Sequence, residues 1–203
     1  MAQLVTSAIV LAGGESSRFG SPKALALWRG KRLIDHVVER LRPLADVTIL
    51  VANPLPQRPA WPGDKVVHDD PSLPAGPLRG IVRGLEECTA DWAWVVACDT
   101  PLVEADLLAA LRQAAGPGDV AVTPVWHGRR EPLVACWERA AFHKLAEILR
   151  GGEHSPLGAL DRLGCRTFPA ERCAEIDPHG RSFFNVNAPG DLAELDRMVP
   201  PGA

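Results

Sequence analysis

Hydrophobic and polar positions follow two different periods along this chain, and their order predicts strands and helices in turn. The continuous apolar run Ala8–Leu11 is typical of a strand that is buried on both faces. The segment 31–44 (KRLIDHVVERLRPL) then has apolar residues three and four positions apart, which indicates an amphipathic helix. The β-branched run 46–53 (DVTILVAN) predicts a second strand, and a short third strand ends at Val67.

The same order of elements continues through the rest of the chain. A helix is predicted from Pro77, because proline is favoured in a first helical turn, and a buried strand (WAWVVA) then stops at Asp99. The remaining predicted elements are a helix over 104–115, strands over 119–126 and 132–137, helices over 139–150 and 155–163, and a strand (FFNVN, 183–187) that turns into a final helix.

Strands that alternate with helices form a mostly parallel sheet with helices on both faces. The sequence therefore predicts an α/β fold, doubly wound in three layers, as a single domain over residues 1–203 without an internal repeat or linker. In such sheets ligands bind at the carboxyl ends of the strands. Polar groups follow predicted strands at the glycine loop after Leu11, at Asp99 and at the pair Asn185 and Asn187. We expect these groups to form one site.

Composition and charge exclude several classes of protein. The chain has 203 residues, 46% of them hydrophobic, and a net charge of −3, which argues against a nucleic-acid binder. No run approaches the ~20 apolar residues of a membrane helix, and the N-terminus lacks the basic segment of a signal peptide. The five cysteines form no C-x-x-C pair, so we expect reduced thiols in a cytoplasmic protein. A monomer is compatible with this size.

The loop after the first strand has the residue types of a phosphate site. Gly13 and Gly14 are adjacent and Gly20 comes next, so the loop has neither the G-x-G-x-x-G nor the P-loop spacing. Glycines let backbone N–H groups approach an anion, and Arg18 and Lys23 add cations that bind phosphate oxygens. A plain strand-to-helix turn with solvated cations is the alternative, but both cations at these positions favour a phosphate site.

The motif LAGGxSxRFGxxK, from Leu11 to Lys23, resembles the signature of small nucleotidyltransferases that activate sugars, isoprenoid precursors and cofactors. Within this group the chain is similar to the molybdenum cofactor guanylyltransferases, the MobA family, in the segments DDPSLPAGPLRGI, ACDTPL, REPLVA and FFNVNAPGDL. LAGG, GPLRG and FNVN are typical of the guanylyl branch, whereas the cytidylyl relatives tend towards LAAG. The resemblance implies a Rossmann-like fold of the nucleotide-diphospho-sugar-transferase type.

The resemblance also implies a reaction, in which GTP and molybdenum cofactor give molybdopterin guanine dinucleotide and pyrophosphate. The alternatives are cytidylyl transfer to the same cofactor, transfer to another phosphorylated acceptor, and a catalytically silent GTP-binding regulatory module. Because both reactants are anionic, Mg²⁺ is the expected cofactor. Cofactor-delivery proteins and molybdoenzyme chaperones are partners that the family alone implies.

Catalytic roles are expected for Arg18, Lys23 and Asp99. Asp99 ends an apolar strand, where a carboxylate must be exposed or paired, so we expect it to bind the metal. Capping of the following helix is the alternative role for this residue. The match to the family makes Asn187 the second expected metal ligand. Asn185 is expected on the opposite face, where it meets the acceptor or satisfies the backbone.

The residues expected to bind the nucleotide are Leu11, Ala12, Gly13, Gly14, Lys23, Asn53, Asp69 and Asp99. Asn53 and Asp69 match nucleotide-contact positions in the family. A carboxylate suits guanine, whose N1–H and N2–H₂ groups are adjacent donors. The alternative for Asp69 and Asp70 is that both only form the loop before Pro71.

Arginines are expected to hold the phosphate of the acceptor. The candidates are Arg79, Arg129 and Arg130, and the alternative is that they are solvated surface cations. One of the six tryptophans could stack on the pterin ring, whereas Trp92 and Trp94 belong to a buried strand and are expected in the core.

Overall fold

The computed structural model describes residues 6–13, 19, 22–54 and 59–200. Its strands are β1 (Thr6–Leu11), β2 (Leu27–Trp28), β3 (Lys31–Arg32), β4 (Val47–Val51), β5 (Lys65–Val67), β6 (Trp92–Ala97), β7 (Ala121–Trp126), β8 (Arg129–Arg130), β9 (Val134–Glu138) and β10 (Arg166–Phe168). Its α-helices are α1 (Leu33–Leu41), α2 (Pro77–Glu86), α3 (Ala105–Ala114), α4 (Phe142–Arg150), α5 (Pro156–Leu163), α6 (Ala170–Ile176) and α7 (Asp191–Met198). Short 3₁₀ helices cover Lys23–Leu25, Arg139–Ala141 and Arg181–Phe183.

Most of the predicted elements are confirmed, with bounds that differ by a few residues. The strand predicted over 183–187 is wrong, because the chain leaves a 3₁₀ helix at Phe183 and runs without regular structure to the start of α7. The sequence pattern also does not predict β8, β10, α6 or the β2–β3 hairpin. These segments are short, and their pairing partners rather than a local period decide their structure.

The central sheet is mostly parallel, as predicted. The strand order is β10-β7-β9-β6-β1-β4-β5, and β8 pairs with β7 outside this path. Strands β6, β1, β4 and β5 are parallel, whereas β9 runs antiparallel to both of its neighbours. After β1 the chain first forms β4 and β5 on one side of β1, and only later forms β6 on the other side of β1. The order therefore reverses between β1 and β6, which is where ligands bind in open α/β sheets.

Helices cover both faces of the sheet because successive side chains of β1 point in opposite directions. Ala8 and Val10 pack with residues of α1, α3 and α6. Ile9 and Leu11 pack with residues of α2, α4 and α5 on the other face. The doubly wound, three-layer arrangement predicted from the sequence is confirmed by these two clusters. No helix in the part of the chain that the structure describes has the length and apolar character needed to cross a membrane.

A third, smaller cluster attaches the C-terminal segment to the sheet. Leu195 of α7 and Val186 pack with Trp28 and Leu33, and all four side chains are buried. In addition, the N–H of Val186 donates to the carbonyl of Asp99 at 2.8 Å. The cluster therefore holds the irregular segment before α7 against the carboxyl end of β6.

Gly84 of α2 provides a test of this packing, because a Cβ at this position would overlap the side chain of Ile9 in β1. We expect Gly84→Ala to lower the free energy of unfolding by roughly 1–2 kcal/mol, since overpacking outweighs the helical preference of alanine. Urea unfolding measures the change. The matched control is Gly190→Ala, where a Cβ meets nothing within 4 Å. Equal stability of the two variants would contradict the close contact between α2 and β1.

Candidate functional site

A cavity of about 730 Å³ lies at the carboxyl ends of β1, β4, β5 and β6. Ten of the residues predicted to form a site line it: Leu11, Ala12, Gly13, Lys23, Asn53, Asp69, Arg79, Asp99, Asn185 and Asn187. Gly14 and Arg18 lie outside the described residues. The convergence of polar groups that the strand ends predict is therefore present in the structure.

Lys23, Asp99 and Asn187 meet at one end of the cavity. Nζ of Lys23 donates to Oδ2 of Asp99 at 2.7 Å and to Oδ1 of Asn187 at 3.1 Å. Asp99 lies just beyond the end of β6, and Lys23 begins the 3₁₀ helix after Pro22. A cation from the N-terminal part of the chain thus links oxygens from the end of β6 and from the segment before α7.

The carboxylate of Asp99 has a second oxygen, for which the described residues provide no hydrogen-bond donor. Oδ1 is buried and accepts no hydrogen bond from a described residue. A buried carboxylate oxygen without a donor or cation is unfavourable, so this atom can accept a ligand. The alternative role as a helix cap does not apply, because α3 has Glu104 at its N-cap position. The hydroxyl of Thr100 donates to the carbonyl of Ala97 instead.

Asn185 and Asn187 both line the cavity, so the expectation that they face opposite ways is wrong. Residues two positions apart share a face even in extended backbone, and this segment is irregular. Oδ2 of Asp191 accepts hydrogen bonds from the backbone N–H groups of Asn187 at 2.7 Å and Ala188 at 2.9 Å. The first residue of α7 therefore fixes the loop that presents Asn187 to Lys23.

Asp69 and Arg79 form a second ion pair in the cavity. Nε of Arg79 lies 3.3 Å from Oδ2 of Asp69, and Nη1 of Arg79 donates to the carbonyl of Leu73 at 3.1 Å. The loop-forming role falls to Asp70, whose Oδ1 accepts from the hydroxyl and the N–H of Ser72. These hydrogen bonds, that of the hydroxyl first, hold the pKa of Asp70 below its usual value.

Gly13 and Gly76 both belong to the wall of the cavity. A Cβ at Gly13 would lie 3.4 Å from Oδ1 of Asn53 and 3.6 Å from Oδ2 of Asp69. Gly76 has a φ of +147°, and a Cβ there would lie 2.9 Å from the carbonyl oxygen of His154. Only glycine suits this conformation, so Gly76 allows α2 to begin at Pro77 beside the cavity.

The arginines expected to hold the acceptor do not lie together in the structure. Arg129 is exposed in β8 and does not line this cavity, and Arg130 pairs with Asp161.

All six tryptophans lie in the described part of the chain, and none of them lines the cavity. Trp126 stacks on Phe183 with ring centroids 5.0 Å apart. No signal in the sequence pattern pointed to Cys98 and Leu133, which contribute to the cavity wall.

Comparison with known proteins shows that this chain is similar to nucleotidyltransferases. Residues 8–163 match the model of the family described as MobA-like NTP transferase domain. A probable molybdenum cofactor guanylyltransferase of Bacillus licheniformis is 36% identical over 194 residues, which cover 95% of this chain and 97% of that protein. A protein of the same name from Bacillus cereus (strain B4264) is 31% identical over 192 residues, which cover 93% and 94%.

Two solved structures resemble this fold over most of their length. Molybdopterin-guanine dinucleotide biosynthesis protein A from Archaeoglobus fulgidus has a TM-score of 0.80 and 28% identity, with 95% of this chain and 97% of that chain covered. The 2-C-methyl-D-erythritol 4-phosphate cytidylyltransferase from Thermus thermophilus has a TM-score of 0.72 at 18% identity, with 96% and 98% covered. The second likeness concerns the fold alone.

Cys98 provides a test of how closed the cavity wall is. Burial, and then the charge of Asp99, raise the pKa of the Cys98 thiol to about 12, so almost no thiolate forms at pH 8. Cys165 is half-buried, whereas the other four cysteines are buried. We expect Ellman's reagent at pH 8 to label one thiol of the folded protein, and Cys165→Ser to remove that reaction. Labelling of Cys98 would show that the wall opens.

Proposed function

Because this chain belongs to the MobA-like NTP transferase family, we propose that it transfers GMP from GTP to molybdenum cofactor, forming molybdopterin guanine dinucleotide and pyrophosphate. The main support is the carboxylate of Asp99. Lys23 contacts one of its oxygens, and the other is buried without a hydrogen-bond partner among the described residues. A site of this kind suits the phosphates of a nucleotide with a divalent cation.

The charges that line the cavity support the binding of an anion together with added cations. In the described lining, Lys23 and Arg79 balance Asp69 and Asp99. A triphosphate and an attacking phosphate bring several negative charges into this neutral set. We propose that Arg18, which lies outside the described residues, and a divalent cation supply the positive charge that is missing.

The reaction requires the exchange of one P–O bond for another. An oxygen of the cofactor phosphate forms a bond to the α-phosphorus of GTP, and the bond from that phosphorus to the pyrophosphate oxygen breaks. No covalent intermediate with the protein is needed, so positioning and charge stabilisation are the main contributions of the protein. The backbone N–H group of Gly13 and the ammonium group of Lys23 are proposed to bind the phosphates, whereas the N–H of Ala12 donates to the carbonyl of Val51.

A divalent cation is expected for a nucleotidyltransferase, and we propose Mg²⁺ held by Asp99 and Asn187. Their carboxylate and amide oxygens are ligands that Mg²⁺ prefers. When bound, Mg²⁺ would neutralise phosphate oxygens and make the α-phosphorus more electrophilic. In residues 6–13, 19, 22–54 and 59–200, no group of three or more His, Cys, Asp or Glu side chains could hold a metal. Phosphate oxygens and water would therefore complete the coordination.

The proposed function is tested by pyrophosphate release with Mg²⁺, molybdenum cofactor and each nucleoside triphosphate in turn. We expect release with GTP that depends on the cofactor. Asp99→Asn should lower the rate by about 10²–10³-fold, the effect typical of losing an electrostatic group in an active site. The matched control is Asp91→Asn, an exposed carboxylate at the opposite end of the same strand.

Other outcomes of this assay would favour the alternatives. Release with CTP rather than GTP would assign the chain to cytidylyl transfer with the same chemistry. Binding of GTP without release under any condition would favour a silent regulatory module. A near-normal rate in Asp99→Asn would remove this residue from the reaction.

Lys23 contacts Asp99 and Asn187, the same two side chains that are proposed to bind the metal, and this leads to a second prediction. With no nucleotide bound, the ammonium group contacts Asp99 and Asn187 and competes with a divalent cation. Lys23→Met should therefore bind Mn²⁺ roughly tenfold more tightly in the absence of nucleotide, although its affinity for GTP falls. Electron paramagnetic resonance of free Mn²⁺ measures this binding. Unchanged Mn²⁺ affinity would mean that the metal binds elsewhere.

A further inference from the structure

We propose that Arg79 is a positioning residue that sets the base selectivity of the cavity by holding Asp69, rather than a residue that binds the acceptor. This inference rests on the proposed transfer of GMP and assigns the base-binding end of the same cavity. The guanidinium group lies against a carboxylate that would otherwise be unpaired in the wall of the cavity. Two features of the pair support this role. The side chain of Arg79 is anchored beside Asp69, and the carboxylate of Asp69 has an oxygen without a hydrogen-bond donor among the described residues.

The structure gives Arg79 little freedom to reach another partner. It lies in the first turn of α2, and its Nη1 donates to the carbonyl of Leu73 in the preceding loop. Its side chain is 16% exposed and that of Asp69 is 12% exposed, so solvent screens the pair only weakly. A planar guanidinium that is anchored to a backbone carbonyl keeps its place beside the carboxylate better than a mobile ammonium group would.

Asp69 nevertheless keeps its capacity to accept hydrogen bonds. The contact to Nε of Arg79 is an ion pair without the geometry of a hydrogen bond, and Oδ1 of Asp69 has no hydrogen-bond partner among the described residues. A largely buried carboxylate in this condition is unfavourable unless a ligand supplies donors.

Guanine has the donors that this carboxylate lacks. Its N1–H and N2–H₂ groups are adjacent, so a single carboxylate can accept from both. Adenine and cytosine have ring-nitrogen acceptors at the corresponding position, which a carboxylate repels. The amide of Asn53 and the carboxylate of Asp69 both lie close to Gly13, so Asn53 provides a further polar contact at this end.

The charges also separate the two ends of the cavity by function. The carboxylate of Asp69 repels phosphate, and Arg79 neutralises it, so this end suits an uncharged base. The Lys23–Asp99–Asn187 group suits the phosphates. Arg79 would bind an acceptor phosphate only by leaving Asp69 as an unpaired charge, which is unfavourable.

A double-mutant cycle tests whether Arg79 acts through Asp69. The variants are Arg79→Met, Asp69→Asn and the double variant, and calorimetric titration measures their affinities for GTP, ITP and ATP. ITP lacks the N2 amino group, so the ratio of GTP to ITP affinity reports the contact with that group. We expect a ratio of about ten in the original protein, the effect of one good polar contact. Each single variant should bring the ratio close to one, and the double variant should lower it no further.

A matched control comes from the same helix. Arg83, one turn further along α2, pairs with Glu86 and Glu87, and its Nε donates to the backbone carbonyl of His68, so it contacts the chain beside Asp69 without contacting the carboxylate. Arg83→Met should keep the GTP to ITP ratio of the original protein. Thermal unfolding of every variant shows whether the fold is retained, and the ratio is compared among folded variants, since a general loss of structure lowers all affinities together.

The outcomes that would overturn the inference differ from those that would overturn the proposed function. An Arg79→Met variant that loses affinity for GTP, ITP and ATP equally would make Arg79 a structural residue. Unchanged nucleotide affinities with a raised KM for molybdenum cofactor would return Arg79 to the acceptor site. If the original protein binds GTP no better than ATP, the guanylyl assignment itself fails and the inference fails with it.

Discussion

Strand β1 has a parallel neighbour on each side, and the geometry of the site depends on these two pairings. Leu11, its last residue, pairs with Val51 of β4 and with Ala97 of β6. Because every N–H and C=O group of a buried strand needs a partner, the register leaves the three strand ends level with one another. The residues that follow these strands must then meet at one edge of the sheet. A shift by a single residue would turn their side chains to the opposite face.

Two ion pairs make it possible to place charged groups at this partly buried edge. Lys23 pairs with Asp99 at one end of the cavity, and Arg79 pairs with Asp69 at the other. The two cations differ in a way that suits the proposed roles. Lysine has a compact charge on a flexible stem and can transfer its contacts to a phosphate, whereas the guanidinium of Arg79 is anchored to the loop before α2. We therefore propose that the Lys23–Asp99 pair exchanges partners during the reaction, whereas the Arg79–Asp69 pair keeps its geometry.

The fold alone does not decide which nucleotide is used. The cytidylyltransferase from Thermus thermophilus shares this architecture at a TM-score of 0.72 with 18% identity. Proteins named for different nucleotides therefore share this fold, so we propose that the side chains at the edge of the sheet provide the selectivity. In this chain the carboxylate of Asp69 and its partner Arg79 are the side chains to which we assign that selectivity, while we assign Lys23, Asp99 and Asn187 to the chemistry of nucleotidyl transfer.

The sequence by itself determined most of the local elements and the type of chemistry. The apolar run of β1, the proline at the start of α2 and the acidic residue after β6 are signals within a few neighbouring residues, so local sterics and burial decide them. Only the tertiary structure decided the partners. Lys23 and Asn187 are 164 residues apart, and the pairing of Arg79 with Asp69 depends on how α2 packs beside the sheet. The irregular backbone around Asn187 follows from its contacts with the end of β6 and with α7. These contacts result from strand register and helix packing, which involve distant residues, and no local period of the sequence encodes them.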